Sequence, residues 1–403
     1  MSQTVIHRTR SVKRKRKKKL PDEIVTLKVN GKAFSSWESL TLTENLDEVA
    51  DAFSFSSGFD PNRGDLVESF RPMGYQPCTV EIDGELMLTG RIEQVSASTT
   101  ADARDVNVQG RSLPGVLVDC GIYFSNDVLH TTEWNDKTLG QLAKILADPY
   151  GIKTSTPQGD SGKIMTSTTF SGSAPGLGKV TDLNEAKIAK VRASPGDKVA
   201  DLLVKCAQPM GWLWNSSPVG EMQLIRTELN KPPMASIIEG QGSFLSASLT
   251  VDGTRRFSVT RVLNNMGVFT DIFADAPDDA VGVTRLSLAA GAGSNAYQIQ
   301  TYADWARAQG IADSIQVEVK VTGWKTDKGE LWRKGSCVRL TAPGAFILTD
   351  YEFVIAGVTR ELSTSGRITT LRLVLPATYT LDQPATYPWD VPKTAKSISK
   401  RNL

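Results

Sequence analysis

From Ile24 to about Val118 apolar and polar residues alternate with a period of two, which predicts half-buried antiparallel strands. Val25, Leu27 and Val29 alternate with Thr26, Lys28 and Asn30, and Asn30-Gly31 then supplies the positive φ angles of a tight hairpin. Leu40 and Leu42 continue the pattern, as do Phe53 and Phe55. Asp83-Gly84 marks a second hairpin between Val80/Ile82 and Leu86/Leu88, and Val106 and Val108 close the set.

The period then changes. Leu139, Leu142, Ala143 and Leu146 share one face of a helix over 137–149, with Asn135 or Asp136 as its cap and Pro149-Tyr150-Gly151 as its stop. A second helix is expected from Ser194 as N-cap, with Pro195 in its first turn, Asp197 at the capping-box position and Val199, Leu202, Leu203 and Cys206 on one face. Residues 152–185, rich in Ser, Thr, Gly and Pro, predict a long loop, and a short hairpin is expected over 211–225.

Strand character resumes near Phe244. Leu245, Ala247 and Leu249 alternate ahead of Asp252-Gly253, followed by Phe257 and Val259; a polar interval spans about 274–295, and a short helix is expected around Tyr302–Gln309. Ile315, Val317, Val319 and Val321 then face one way while Gln316, Glu318, Lys320 and Thr322 face the other. The end of the chain, with Pro384, Pro388 and Pro392, predicts an extended tail. Residues 78–114 and 337–376 resemble each other in architecture: a strand opening at a Cys, a second strand (Gly90-Arg-Ile, Gly357-Val), a polar turn and a third strand ending at Pro114 or Pro376. A duplicated β module is the expectation.

The 403 residues favour two to four domains. The net charge of +2 hides an asymmetry: residues 1–19 carry nine bases and no acid, leaving 37 bases (46 less 9) against 44 acids elsewhere. An acidic body with the basic run Lys13, Arg14, Lys15, Arg16, Lys17, Lys18 and Lys19 suggests an arm that touches DNA or an acidic partner. Its lack of an interleaved aromatic argues against reading single strands. Cys78, Cys120, Cys206 and Cys337 are too far apart for a zinc or dithiol motif and read as buried thiols in a reducing compartment. Neither an export signal nor a membrane span is expected.

Candidate chemistry is sparse. Of the two histidines, His7 lies in the basic arm and His130 lacks a nucleophile-elbow neighbourhood. Asp278-Asp279 and Asp47-Glu48 read as solvated acids, no calcium loop is present, and "APGLGK" at Ala174–Lys179 lacks phosphate-loop spacing. Trp305, Trp324 and Trp332 read as core or interface packing. No catalytic residue, cofactor or metal is expected.

Two sets of residues carry a family resemblance. One is Val319-Lys-Val-Thr-Gly-Trp324, Gly329-Glu-Leu-Trp-Arg-Lys-Gly335, Val338-Arg-Leu-Thr-Ala-Pro343, Phe353-Val-Ile-Ala-Gly-Val358 and Leu371-Arg-Leu-Val-Leu-Pro376. The other is Val25-Thr-Leu-Lys-Val-Asn-Gly31, Phe34 and Trp37, running on to Gly90-Arg-Ile and Val108-Gln-Gly-Arg111. In this order they resemble the baseplate hub, or late-control, proteins of Mu-like contractile-tailed phages.

The resemblance implies a non-enzymatic virion protein, assembled in the host cytoplasm as a homotrimer. Its two tail-tube-like barrels per chain would form a pseudo-sixfold ring joining the sixfold tail tube to a trimeric spike, with wedge proteins around it and DNA passing through. The fold class expected is therefore β-dominated α+β. It would comprise a basic arm at 1–21, tube-like antiparallel barrels at 22–118 and 244–378, an inserted α+β middle domain at 119–243, and a tail at 379–403. A hub with cell-wall hydrolase activity, or the hub of a phage-derived bacteriocin or injection device, is the alternative. The basic run and the 152–185 excursion are not part of the family pattern.

Overall fold

In the computed structural model, residues 23–123, 133–157, 187–208, 212–225, 232–264, 273–291, 296–380 and 383–390 are described. The first alternating run forms β1 (Val25–Val29), β2 (Lys32–Phe34), β3 (Ser39–Asn45), β4 (Ala52–Gly58), a short helix α1 (Gly64–Ser69), β5 (Pro77–Ile82), β6 (Glu85–Thr99) and β7 (Arg104–Ser112). Both expected hairpin turns are present, with φ of 49° and 80° at Asn30 and Gly31 and 51° and 81° at Asp83 and Gly84. Positive φ at both central residues matches the twist of the flanking strands, which is why Asn-Gly and Asp-Gly stand there. Leu27, Val29, Leu42, Phe53, Phe55, Val80, Ile92 and Val108 fill the core beneath this sheet.

The chain then enters a mixed region: α2 (Gly115–Asp119), β8 (Glu133–Thr138), α3 (Leu139–Ala147), β9 (Thr154–Ser155), β10 (Lys187–Arg192), α4 (Val199–Ala207), β11 (Leu213–Ser216) and β12 (Met222–Ile225). The expected hairpin is β11–β12, pairing Leu213 with Ile225. Two cap assignments differ from expectation. Asn135 and Asp136 belong to β8, held by β10, so Thr138 caps α3 in a reciprocal capping box with Gln141 (3.2 and 3.1 Å). Ser194 does not cap α4, because Gly196 takes a left-handed φ of 96° and Ser194 and Asp197 close a turn on each other before the helix starts at Val199. Leu139, Leu142, Leu146, Leu203, Trp212 and Trp214 form a separate core here.

The last part comprises β13 (Ala235–Ile238), β14 (Phe244–Val251), β15 (Val259–Asn264), β16 (Phe273–Pro277), β17 (Leu286–Gly291), α5 (Ala296–Ser314), β18 (Ile315–Thr322), β19 (Cys337–Ala342), β20 (Ile347–Ser363), β21 (Gly366–Val374) and α6 (Ala377–Thr380). β18 buries every second residue, as its alternation requires. A bulge between Phe244 and Ser246 shifts the phase of β14, so Leu245 is exposed while Ala247 and Leu249 turn inward. The interval at 274–295 is not a plain loop. β16 and β17 flank β15, and their alternation is hidden because alanines (Ala274, Ala276) carry the buried phase. Helix α5 is longer than expected for the same reason, burying Ala303 and Ala308 beside Ile299 and Ile311.

The fold is β-dominated α+β, but no closed barrel is formed among the described residues. Apart from β15–β17, which form a small sheet of their own, the strands of both expected barrels run in one 13-stranded ladder, β14-β18-β21-β20-β3-β4-β7-β6-β5-β1-β2, with β13 on β19 and β19 on β20 beside it. The cause lies in β20. Its first half pairs with β19 and its second half accepts β3 on the same flank, while β21 occupies the other. The tail folds back over 383–390: the Pro388 carbonyl accepts from Leu348 N–H (2.9 Å), and the Tyr387 and Trp389 rings stack at 5.0 Å.

Candidate functional site

The two strand groups meet edge to edge, and the junction is tied by a ladder and by buried charged side chains. β3 lies antiparallel on β20, with Asn45 opposite Gly357 and Leu40 opposite Leu362. Gly357 leaves room for the Asn45 side chain, whose Oδ1 would have to swing aside from a Cβ placed there. On the inward face Arg360, wholly buried, donates to the Glu44 carboxylate and to the Trp332 carbonyl. Burying both charges removes their hydration, so the pair holds only because each is the other's partner.

Beside it, Lys334 donates to both Asp51 oxygens at 2.7 Å, and the Asn45 N–H adds a third bond at 3.2 Å. Burial nevertheless pushes the Asp51 carboxyl up, to about 7, against the pull of Lys334, and nearby Glu44 adds to the rise. The Ser112 hydroxyl accepts from Asp51 N–H (3.0 Å), which fixes this carboxylate to the end of β7. From the middle region, Asn215 reaches across to donate to the carbonyls of Asn45 (2.6 Å), Leu46 (3.3 Å) and Glu48 (3.1 Å). Three parts of the chain thus converge on residues 44–51.

Residues 323–336 act as a strap across the junction. Trp324 belongs to the last third by position yet packs in the core of the first group, while Trp332 packs in the core of the second. Trp324 N–H donates to the buried Glu23 carboxylate (3.2 Å), whose pKa burial raises, and its indole N–H donates to the Glu361 carbonyl (3.2 Å). Lys325 pairs with Asp83 (2.6 Å) and Arg333 with Glu85. Two large aromatic anchors, each worth about 3–5 kcal/mol on truncation, fix the relative position of the groups; the partly exposed ion pairs add little.

The two groups repeat one ladder. From Val354 to Leu362 in β20 and Arg367 to Val374 in β21, each paired residue takes the place of the residue 263 positions earlier in β6 and β7: Ile355 for Ile92, Gly357 for Gln94, Arg372 for Gln109. Both long strands carry a bulge at the matching point, Glu93 and Ala356. The similarity read in the sequence is therefore present, though Ile355 rather than the Gly357-Val stretch aligns with Gly90-Arg-Ile.

Several sequence-derived candidates fall elsewhere. Lys13, Arg14, Lys15, Arg16, Lys17, Lys18, Lys19, His7, His130 and most of 152–185 lie outside the described residues. Asp278 is not a solvated acid: it is buried and held by Arg256 at 2.7–2.9 Å, because it closes the small sheet against the tail through Tyr387. Trp305 is half-buried on α5 against Tyr302, away from the other two tryptophans. All four cysteines are free, and burial pushes the Cys78 thiol up to about 12. Among the described residues no group of His, Cys, Asp and Glu is arranged to hold a metal, and no helix is long and apolar enough to cross a membrane. Arg360, Glu44, Asp51 and Asn215 were not singled out in the sequence, and Lys334 entered only as part of the Gly329–Gly335 stretch. A signal existed for the first pair, since Glu44 continues the inward phase of Leu40 and Leu42, and Arg360 that of Val358.

Comparisons with known proteins converge on the same two groups. Residues 24–112 match the Mu phage baseplate assembly protein GpP-like N-terminal domain, and residues 295–382 match the fourth domain of Mu phage baseplate assembly protein GpP. The baseplate hub protein gp44 of Escherichia phage Mu is 24% identical over 362 residues, 86% of each chain. Two solved structures share the fold at a TM-score of 0.71. One is the 43 kDa tail protein of prophage MuSo2 from Shewanella oneidensis (24% identity, covering 89% of this chain and 100% of that one). The other is a tail protein from Neisseria meningitidis MC58 (22% identity, 89% and 98%). The matched domains contain both sides of the β3–β20 junction, and over these spans the chain is similar to the baseplate assembly and hub proteins of Mu-like phages, components of the viral tail.

Proposed function

We propose that three copies of this chain form a closed ring that acts as the hub of a contractile tail, each copy supplying two β modules so that a threefold assembly presents six similar blocks. The observation that carries this reading is the repeated ladder joined edge to edge at β3–β20, which makes one chain equivalent to two adjacent blocks of a ring. Closed rings remove exposed strand edges, and a duplicated module reconciles threefold with sixfold symmetry.

In this reading the units are an arm at 1–21, modules at 22–118 and 244–378, a middle domain at 119–243 and a tail at 379–403. The ring sits between the sixfold tube and a trimeric spike, with wedge proteins outside and DNA passing through its lumen. It is assembled in the host cytoplasm and works without catalysis, as the structural character of its relatives supports. The basic run Lys13–Lys19 is the contact for an acidic neighbour or for DNA. Native mass spectrometry tests the stoichiometry: the chain of 43.7 kDa should appear as a trimer. A monomer or an even-numbered oligomer would overturn the reading.

A further inference from the structure

Of the strand edges left unpaired among the described residues, two correspond to the two edges already joined at β3–β20. The first is β14, at the end of the ladder, bonded only to β18. The second is the far half of β6. Gly90 and Arg91 pair with β5 on one flank and β7 on the other, but from Gln94 to Thr99 only β7 is present. In the repeat, that empty flank of β6 is the position at which β20 receives β3.

The strand that would fill it is identifiable. β18 stands to β21 as β4 stands to β7, with Val317 beside Leu373 where Phe53 is beside Gly110. β14 in turn stands to β18 as β3 stands to β4, with Leu249 opposite Val317 where Leu42 is opposite Phe53. So β14 is the counterpart of β3, and the far half of β6 is the counterpart of the far half of β20. Within one chain these two edges belong to different modules and do not meet.

We infer that β14 of one copy pairs antiparallel with residues 94–99 of β6 in the next copy, repeating between chains the contact that β3 and β20 make within one. Transferring the internal register places Asp252 opposite Gln94, Val251 opposite Val95, Thr250 opposite Ser96, Leu249 opposite Ala97 and Ser248 opposite Ser98. The inference rests on the trimer reading and names its interface.

A second observation, independent of the register, supports it. Protein edges open to water are normally guarded by charge or proline. Gln94–Thr99 reads QVSAST and β14 reads FLSASLTV, with no charged residue and no proline in either. Leu245 and Val251 are nonetheless 46% and 48% exposed. Such edges suit a partner strand. The buried Arg360–Glu44 pair of the internal junction is replaced here by Ala97 and Val251, so the contact between chains is the uncharged version of the contact within them.

Cysteine pairs test the register. Ser96→Cys with Thr250→Cys, and Ala97→Cys with Leu249→Cys, sample both the wide and the narrow pair type of an antiparallel ladder. Ser96→Cys with Leu249→Cys is one residue out of register and puts the thiols on opposite faces. After mild oxidation of the full chain, at least one in-register pair should convert the monomer band on a non-reducing denaturing gel into a covalent trimer, while the slipped pair and the unsubstituted chain remain monomeric. The native mass of the reduced proteins is read in parallel. A trimeric mass with no in-register cross-link overturns this interface and leaves the ring reading standing; a monomeric mass of the unsubstituted chain removes both. As a second readout, Ser96→Lys with Thr250→Lys should move trimer dissociation to higher protein concentration than Ser96→Lys with Thr250→Glu, and equal midpoints would count against the pairing.

Discussion

Arg360 and Glu44, 316 positions apart in the chain, form a buried ion pair diagonally across the β3–β20 ladder, where Arg360 is opposite Leu42 and Glu44 opposite Val358. Arg360 also donates to the Trp332 carbonyl, so one side chain links β20, β3 and the strap. Removing one member leaves the other charge buried without its partner. Arg360→Met is expected to lower unfolding stability by about 3–5 kcal/mol. Arg360→Met combined with Glu44→Met should cost clearly less than the sum of the two single changes, as measured by urea unfolding. Additive losses would mean that the two residues do not act as a pair.

Trp324 fixes the strap to the first module. Trp324→Ala should cost about 3–5 kcal/mol through the cavity it leaves, and Trp324→Phe less. Because Trp324 also holds Glu23 and the Glu361 carbonyl, the alanine variant should make the two modules more open to limited proteolysis near 323–336 than within β6 or β20. Cleavage unchanged from the parent chain would show that the strap is not what fixes the modules together.

The Asp51 carboxyl gives the junction a pH dependence of definite sign. Its proton is held more tightly in the folded chain, where the group titrates at about 7, than in the unfolded chain, where its ordinary value is 3.8. Its contribution to stability is therefore complete below about pH 4 and is lost as pH rises through about 7. Asp51→Asn does not titrate, so the stability of the parent chain relative to that variant should fall between pH 4 and 7. Urea midpoints across that range check it, and a relative stability that rises with pH would reverse the assignment.

Much of the β architecture was legible because large apolar residues carried the alternation: β1, β4 and β18 are where the pattern puts them, and Asn30-Gly31 and Asp83-Gly84 turn as their φ preferences demand. Alanine hid the rest. β16 and most of α5 bury alanines, which a pattern of large side chains passes over. The caps failed where tertiary pairing outweighed local preference, as when β10 drew Asn135 into a strand. The merging of two barrels into one ladder was not legible, since it depends on β20 serving β19 and β3 along one flank, a contact between residues more than 300 positions apart. The junction was half legible: the strap was prominent as Gly329–Gly335, but the acid and base at inward strand positions, Glu44 and Arg360, were passed over as ordinary polar residues.

The most direct measurement is a cryo-electron microscopy reconstruction of the tail tip with threefold symmetry imposed. Three copies of the chain should form a ring of six β modules in which contacts within a chain (β3–β20) alternate with contacts between chains. A layer with six copies of the chain, or three copies whose first and last modules lie at different heights along the tail axis, would contradict the proposed hub.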